Sequence, residues 1–183
     1  MYRIIFIALL TLTALGFESQ VEESIKPENV SIKINRSDDS FKLEKIIFHT
    51  STCLGLCPAY HLQINSDRQF KLFAETVFVE GSKTSEHKND INKTGYFTGT
   101  VSSSNYKKLI RQLQSCNLDT LTFEDVTCCD APLVTIIVYY NGKRKYLKSM
   151  FPPESTNDLI NTLNDICENS ELYRSQFKFT IEE

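Results

Sequence analysis

The sequence predicts an α+β domain: an antiparallel sheet of about six strands with two helices packed on one face, in the order ββββαββα. Three observations predict it. Over residues 59–65 apolar and polar side chains alternate, which puts Tyr60, Leu62 and Ile64 on one side of a strand and His61 and Gln63 on the other. In "PLVTIIVYYNGKRKYLKSM", Asn141 and Gly142 separate two strand-like arms and accept the positive φ angles of a type I′ hairpin turn. Around residues 106–113 and 159–167 the apolar residues recur instead at helical spacing.

Taken in chain order, residues 43–50 form the first strand, with Ile46 and Phe48 on a common face. Residues 59–65 form the second, the polar segment 65–68 is a turn, and "QFKLFAETVFVEG" resumes strand character up to Gly81. So short a connection makes the second and third strands antiparallel neighbours. A charged loop, "SKTSEHKND", leads to a fourth strand at 95–101. The first helix follows a run of serines able to cap it; Tyr106, Leu109, Ile110 and Leu113 make its apolar face, which Cys116 continues. Residues 133–140 are nearly all apolar or β-branched, as in a central strand covered on both faces. The second arm of the hairpin, with Lys143, Arg144, Lys145 and Lys148, reads as an exposed edge. After Pro152-Pro153, Ser155 and Asp158 resemble a capping box for a second helix with the stripe Leu159, Ile160, Leu163, Ile166 and Cys167. The tail "QFKFTIEE" offers a short terminal strand.

The 183 residues, 41% hydrophobic and 23% charged, suit one globular domain, expected here over residues 41–183. Residues 1–16 read as a secretory signal: Arg3, an apolar run from Ile4 to Leu15, and the small-x-small triplet Ala14-Leu15-Gly16. The other reading is a retained membrane anchor, but the run is shorter than the ~20 residues a bilayer span needs. Residues 17–40 are polar and acidic without sustained periodicity, as in a linker. The expected product is therefore exported, to a periplasm, cell envelope or medium, with no transmembrane segment after cleavage. A net charge of −3 and no Lys/Arg-rich stripe exclude a nucleic-acid partner, because phosphate binders concentrate positive charge on one face. A protein or cell-envelope component is the partner class that remains.

All six cysteines (Cys53, Cys57, Cys116, Cys128, Cys129 and Cys167) follow the signal, in a part of the chain where an oxidising compartment would let disulfides persist. Six cysteines permit 15 connectivities. One arrangement joins the Cys53/Cys57 loop to the Cys128/Cys129 loop, aligning two strand entrances; closing a loop of about 70 residues would remove on the order of 4 kcal/mol of denatured-state entropy. Cys116 and Cys167, both on apolar helix faces, are either a second pair or buried small hydrophobes.

"TCLGLCPAY" carries Cys53, Gly55, Cys57, Pro58 and Tyr60 in a C-x-G-x-C-P-x-Y pattern, and "CCDAP" carries Asp130 and Pro132 ahead of a strand. Together with Gly81 and the Asn-Gly-Lys hairpin, these segments resemble a bacterial domain-of-unknown-function family, number 6438, met mainly in exported proteins of the Bacteroidetes group. The likeness runs over roughly residues 43 to 168. Two departures stand out: Asp67-Arg68 occupies a hairpin where the family often has Asp-Gly, and the cysteine before Asp130 is doubled. The resemblance implies domain limits and no activity.

Two kinds of chemistry deserve weighing against a plain structural role. Cys53 and Cys57 at C-x3-C spacing, with His49 and His61 nearby, could hold Cu(I) or Zn(II), or cycle as a redox pair. A reactive thiolate, however, wants a helix N-terminus or a cationic neighbour, and the residues after Pro58 alternate as a strand. No G-x-S-x-G elbow, H-E-x-x-H helix, phosphate-binding glycine loop or dinucleotide fingerprint is present. The sequence thus favours a noncatalytic binding or structural module without catalytic residues or cofactor, the alternative being a thiol-based metal or redox site at Cys53 and Cys57.

Overall fold

In the computed structural model, which describes residues 41–84, 88–126 and 128–183, the chain runs through β1 (Leu43–Thr50), β2 (Ala59–Asn65), β3 (Gln69–Thr76), β4 (Gly95–Thr100), α1 (Ser103–Ser115), β5 (Val134–Tyr140), β6 (Lys143–Ser149), α2 (Asn157–Asn169) and β7 (Tyr173–Arg174). The expected signal and linker lie outside the described residues. Every strand pairs antiparallel to its neighbours, in the spatial order β6-β5-β1-β2-β3-β4-β7. The α+β class and the order of four strands, helix, two strands, helix are as the periodicities predict.

The helical face holds the main core. Ile46 and Phe48 of β1, Leu62 and Ile64 of β2, Leu72 of β3 and Ile136 of β5 meet Leu109 and Leu113 of α1 and Leu159, Leu163 and Ile166 of α2. Each such side chain contributes about 1.5–3 kcal/mol on full burial. The opposite face is mostly polar, yet Ile47 of β1 and Ile137 of β5 are fully buried there beneath Ile181. That second, smaller cluster explains why β1 and β5 are apolar on both sides, whereas the edge strand β6 exposes Lys143, Arg144, Lys145 and Lys148 or leaves them half-buried.

Local chemistry sets the turns. Asn141 and Gly142 have φ of 48° and 72°, as their sequence predicts, and Asn141 Oδ1 accepts from the Lys42 amide at 2.8 Å. Arg68 takes the same left-handed region at φ 71° without being glycine; the Asp67 carboxylate accepting the Gln69 amide and the Arg68 guanidinium donating to Ser103 Oγ hold it there. Ser102 caps α1, its hydroxyl oxygen accepting from the Asn105 amide at 3.2 Å.

Two expectations need correction. The capping box at Ser155 and Asp158 is not formed: a 3-10 turn over Glu154–Thr156 comes first, so Ser155 lies inside it, and Thr156 leads α2 with its hydroxyl donating back to the Pro153 carbonyl at 2.7 Å. The tail does not add a terminal strand. A two-residue strand forms earlier, at Tyr173–Arg174 against β4, and residues 176–183 cross the free face of the sheet instead. The apolar–polar alternation of the tail is thereby used to bury side chains and not to extend a ladder.

Gly99 on β4 is a close-approach glycine. A Cβ there would lie 2.5 Å from both the Glu171 carbonyl oxygen and the Phe70 ring. Because backbone cannot swing aside as a flexible side chain would, Gly99→Ala is expected to destabilise the domain by about 1–3 kcal/mol in urea unfolding; at Gly81 nothing stands within 4 Å of the Cβ position, so Gly81→Ala should cost only about 1 kcal/mol, from its φ of 76°.

Candidate functional site

Two regions gather chemically distinctive residues, one on each face of the sheet. The first is the loop from β1 to β2. Cys53 and Cys57 are bonded to each other, with Cα atoms 5.4 Å apart. Gly55 lies against this bridge, its amide donating to Cys53 Sγ at 3.2 Å. Thr50 Oγ1 ties the two ends of the loop, donating to the Pro58 carbonyl and accepting from the Tyr60 amide.

The bridge between the Cys53/Cys57 and Cys128/Cys129 loops is not made. Hydrogen bonds align those strand entrances instead: the Ser51 amide donates to the Leu133 carbonyl at 3.1 Å, and the Leu133 amide donates to Ser51 Oγ at 2.9 Å. Cys128 and Cys129 are free and exposed, Cys129 at φ 63°, with Asp130 exposed beside them and Pro132 half-buried. Cys116 and Cys167 are also free. Both are buried, with Cys116 Sγ donating to the Ser155 carbonyl at 3.6 Å, and burial pushes both thiols upward, so they act as small hydrophobes and not as nucleophiles.

Behind the disulfide loop is a cavity of about 630 Å³. Leu56, Pro58 and Tyr60 form one wall, Val77 and Phe78 a second, and Cys167, Glu168 and Leu172 a third, while Glu80 and Lys93 stand at its polar side. Its volume falls within the range of small-molecule sites. The Tyr60 ring is 3% exposed, and its hydroxyl pKa is raised by burial and by the Glu168 carboxylate, so it serves as a hydrogen-bond donor at neutral pH.

The second region lies on the opposite face. Strand pairing sets His49 directly across from His61, and their Nδ1 atoms are 2.8 Å apart. His49 Nε2 stands 2.8 Å from the Glu182 carbonyl, which can only accept, so this nitrogen carries a proton. Neutral His49 then accepts at Nδ1 from His61, whose Nε2 faces the Glu75 carboxylate at 3.2 Å. An ordered pair of hydrogen bonds therefore runs from His61 through His49 to the tail, with the Glu75 carboxylate beside its outer end. His61 also stacks on Phe73, and Phe73 on Tyr96, at ring separations of 5.5 and 4.5 Å.

Read from the sequence alone, His61 lies on the polar side of a strand and the tail holds no site residue. Register explains the first and tertiary packing the second. Glu182 is the anchor that reading missed: its carboxylate receives Lys45 Nζ at 2.8 Å, the Tyr139 hydroxyl, and Arg144 at 3.3 Å. Of the four candidate metal ligands, the structure joins His49 to His61 and bonds Cys53 to Cys57. Among the described residues no three ligating side chains converge, and the sulfurs, bonded to each other, offer no thiolate.

The disulfide spans a separation of only four residues, so it constrains the unfolded chain less than the longer bridge would. The double variant Cys53→Ser/Cys57→Ser should lose about 2 kcal/mol in urea unfolding, not ~4.

The tail contacts also carry a pH dependence. Burial, followed by the neighbouring His61, lowers the His49 pKa against the raising effect of the Glu182 carbonyl and Glu183. Protonation is thus easier in the unfolded chain, and stability present above pH 6.5 is expected to fall as pH drops below it. Bonds from Lys45 and then Tyr139 bring Glu182 down to about 2; its contribution, present above 4.5, is lost only as pH falls from there toward 2. Urea unfolding measured against pH should show both windows, with His49→Gln flattening the upper and Glu182→Gln the lower.

No curated protein matches this chain. The C-x-G-x-C-P-x-Y loop and strands β2 to β6 lie within residues 44–167, and over those residues the chain belongs to the family described as Domain of unknown function (DUF6438).

Proposed function

We propose that this is an exported, noncatalytic binding module that seats a small amphipathic ligand in the cavity behind the Cys53–Cys57 loop. One observation carries the reading: Pro58 and Tyr60, from the cysteine motif itself, line a cavity of about 630 Å³ together with the apolar Leu56, Val77 and Phe78 and the charged Glu80, Lys93 and Glu168. A ligand with an apolar body and a polar end matches that division. Export is supported by the apolar, Arg3-led first segment and by a closed disulfide, which persists in oxidising compartments. The rival, a thiol-centred metal or redox site, would need Cys53 and Cys57 reduced, and the loop that carries them joins β1 to β2 and opens no helix whose N-terminus would favour a thiolate.

Nile red, a neutral amphipathic dye, provides a direct test. The protein is expected to bind it saturably at one site, and Val77→Trp, which fills the cavity, should weaken binding at least tenfold while leaving the circular dichroism spectrum unchanged. Absence of saturable binding, or equal binding by folded Val77→Trp, would show that the cavity is not the seat. Zinc or copper bound stoichiometrically by the protein with Cys53 and Cys57 reduced would favour the rival.

A further inference from the structure

We infer that the free face of the sheet is a second binding site, a groove for an extended acidic peptide segment of another protein, and that residues 177–183 occupy it in cis. Three features of the occupant define the site. Ile181 is buried on Ile47 and Ile137. Two residues earlier, Phe179 packs edge-on against Tyr96 at 5.1 Å, with Lys71 Nζ 5.6 Å from its ring. Glu182 is received by Lys45, Arg144 and the Tyr139 hydroxyl, and its carbonyl by His49. A peptide suited to these receptors is extended, with an aromatic, an aliphatic and an acidic residue in the order aromatic-x-aliphatic-acid.

The occupant is held in a way that permits exchange. No backbone ladder joins residues 178–183 to a strand among the described residues; three side chains and one imidazole–carbonyl bond hold them. The groove is also larger than its occupant. Hollows of about 420 and 380 Å³ remain beside the tail, both lined by His49, His61 and Glu75. The charge around it is mostly positive, from Lys45, Lys71, Arg144 and Lys148, against Glu75. A longer acidic segment can therefore gain contacts that the tail leaves unmade. A second copy of this chain has no such advantage: Arg174, donating to the Thr94 and Asn92 carbonyls, delivers each tail to its own groove.

The test uses the whole chain and a fluorescein-labelled peptide with the sequence of residues 175–183, read by fluorescence anisotropy. Ile181→Asp should release the tail in cis without touching the main core, and the peptide is expected to bind this variant at least tenfold more tightly than the wild type. Glu182→Lys is a second release variant should Ile181→Asp fail to fold. Adding Lys45→Glu should remove the gain, and a peptide carrying lysine at the Glu182 position should bind neither protein. The inference is overturned if a folded release variant binds the peptide no better than wild type, or if binding ignores either charge reversal. A wild-type dimer in sedimentation that Ile181→Asp dissolves would also overturn it, by making a second copy the partner.

Discussion

β1 lies between β2 and β5 with both of its faces covered, Ile46 and Phe48 toward the helices and Ile47 toward the tail. A slip of one residue in its pairing would send Ile46 and Phe48 to the polar face and Lys45 and His49 into the core, so the register is strongly determined. The rest of the molecule inherits that register. It sets His49 opposite His61, brings Ser51 to Leu133, and fixes where the disulfide loop leaves the sheet. Local devices, such as the Asn141-Gly142 turn and the Ser102 cap, adjust the ends of elements whose placement this central pairing has already decided.

The two faces then diverge chemically. On the helical face a large apolar cluster leaves room, near the Cys53–Cys57 loop and the end of α2, for a cavity with a half-polar wall. On the other, three isoleucines suffice to seat the tail, and polar groups do the remaining work. Such a contact is marginal beside the main core: burial of one isoleucine supplies about 1.5–3 kcal/mol, and partly exposed ion pairs add little. The domain therefore combines a firmly held scaffold with one segment attached through a few side chains. Sulfur plays a local part. The bridge shapes a single loop, and the buried Cys116 and Cys167 thiols fill space.

Much of the fold was legible because period and turn chemistry are properties of neighbouring residues. The bounds of β1 and β2 and the place of the Asn-Gly hairpin follow from alternation and from residues that tolerate positive φ. The tail misled for the same reason: Phe179 and Ile181 alternate with polar residues in a strand-like way, but alternation does not say whether a segment pairs at a sheet edge or lies upon its face. The capping box at Ser155 misled because a 3-10 turn competes for the same residues, and Pro153 favours it by supplying a carbonyl acceptor for Thr156.

By itself, the sequence determined the class of fold, the succession of elements and the apolar face of β1 and β2, since all of these rest on interactions within a few residues. Only the tertiary structure decided which cysteines are bonded, that His49 and His61 share a hydrogen bond, and that Glu182 is anchored more than a hundred residues from Lys45. Those outcomes depend on distances between segments remote in the chain, and such distances exist only once the register of β1 against β2 and β5 has been set.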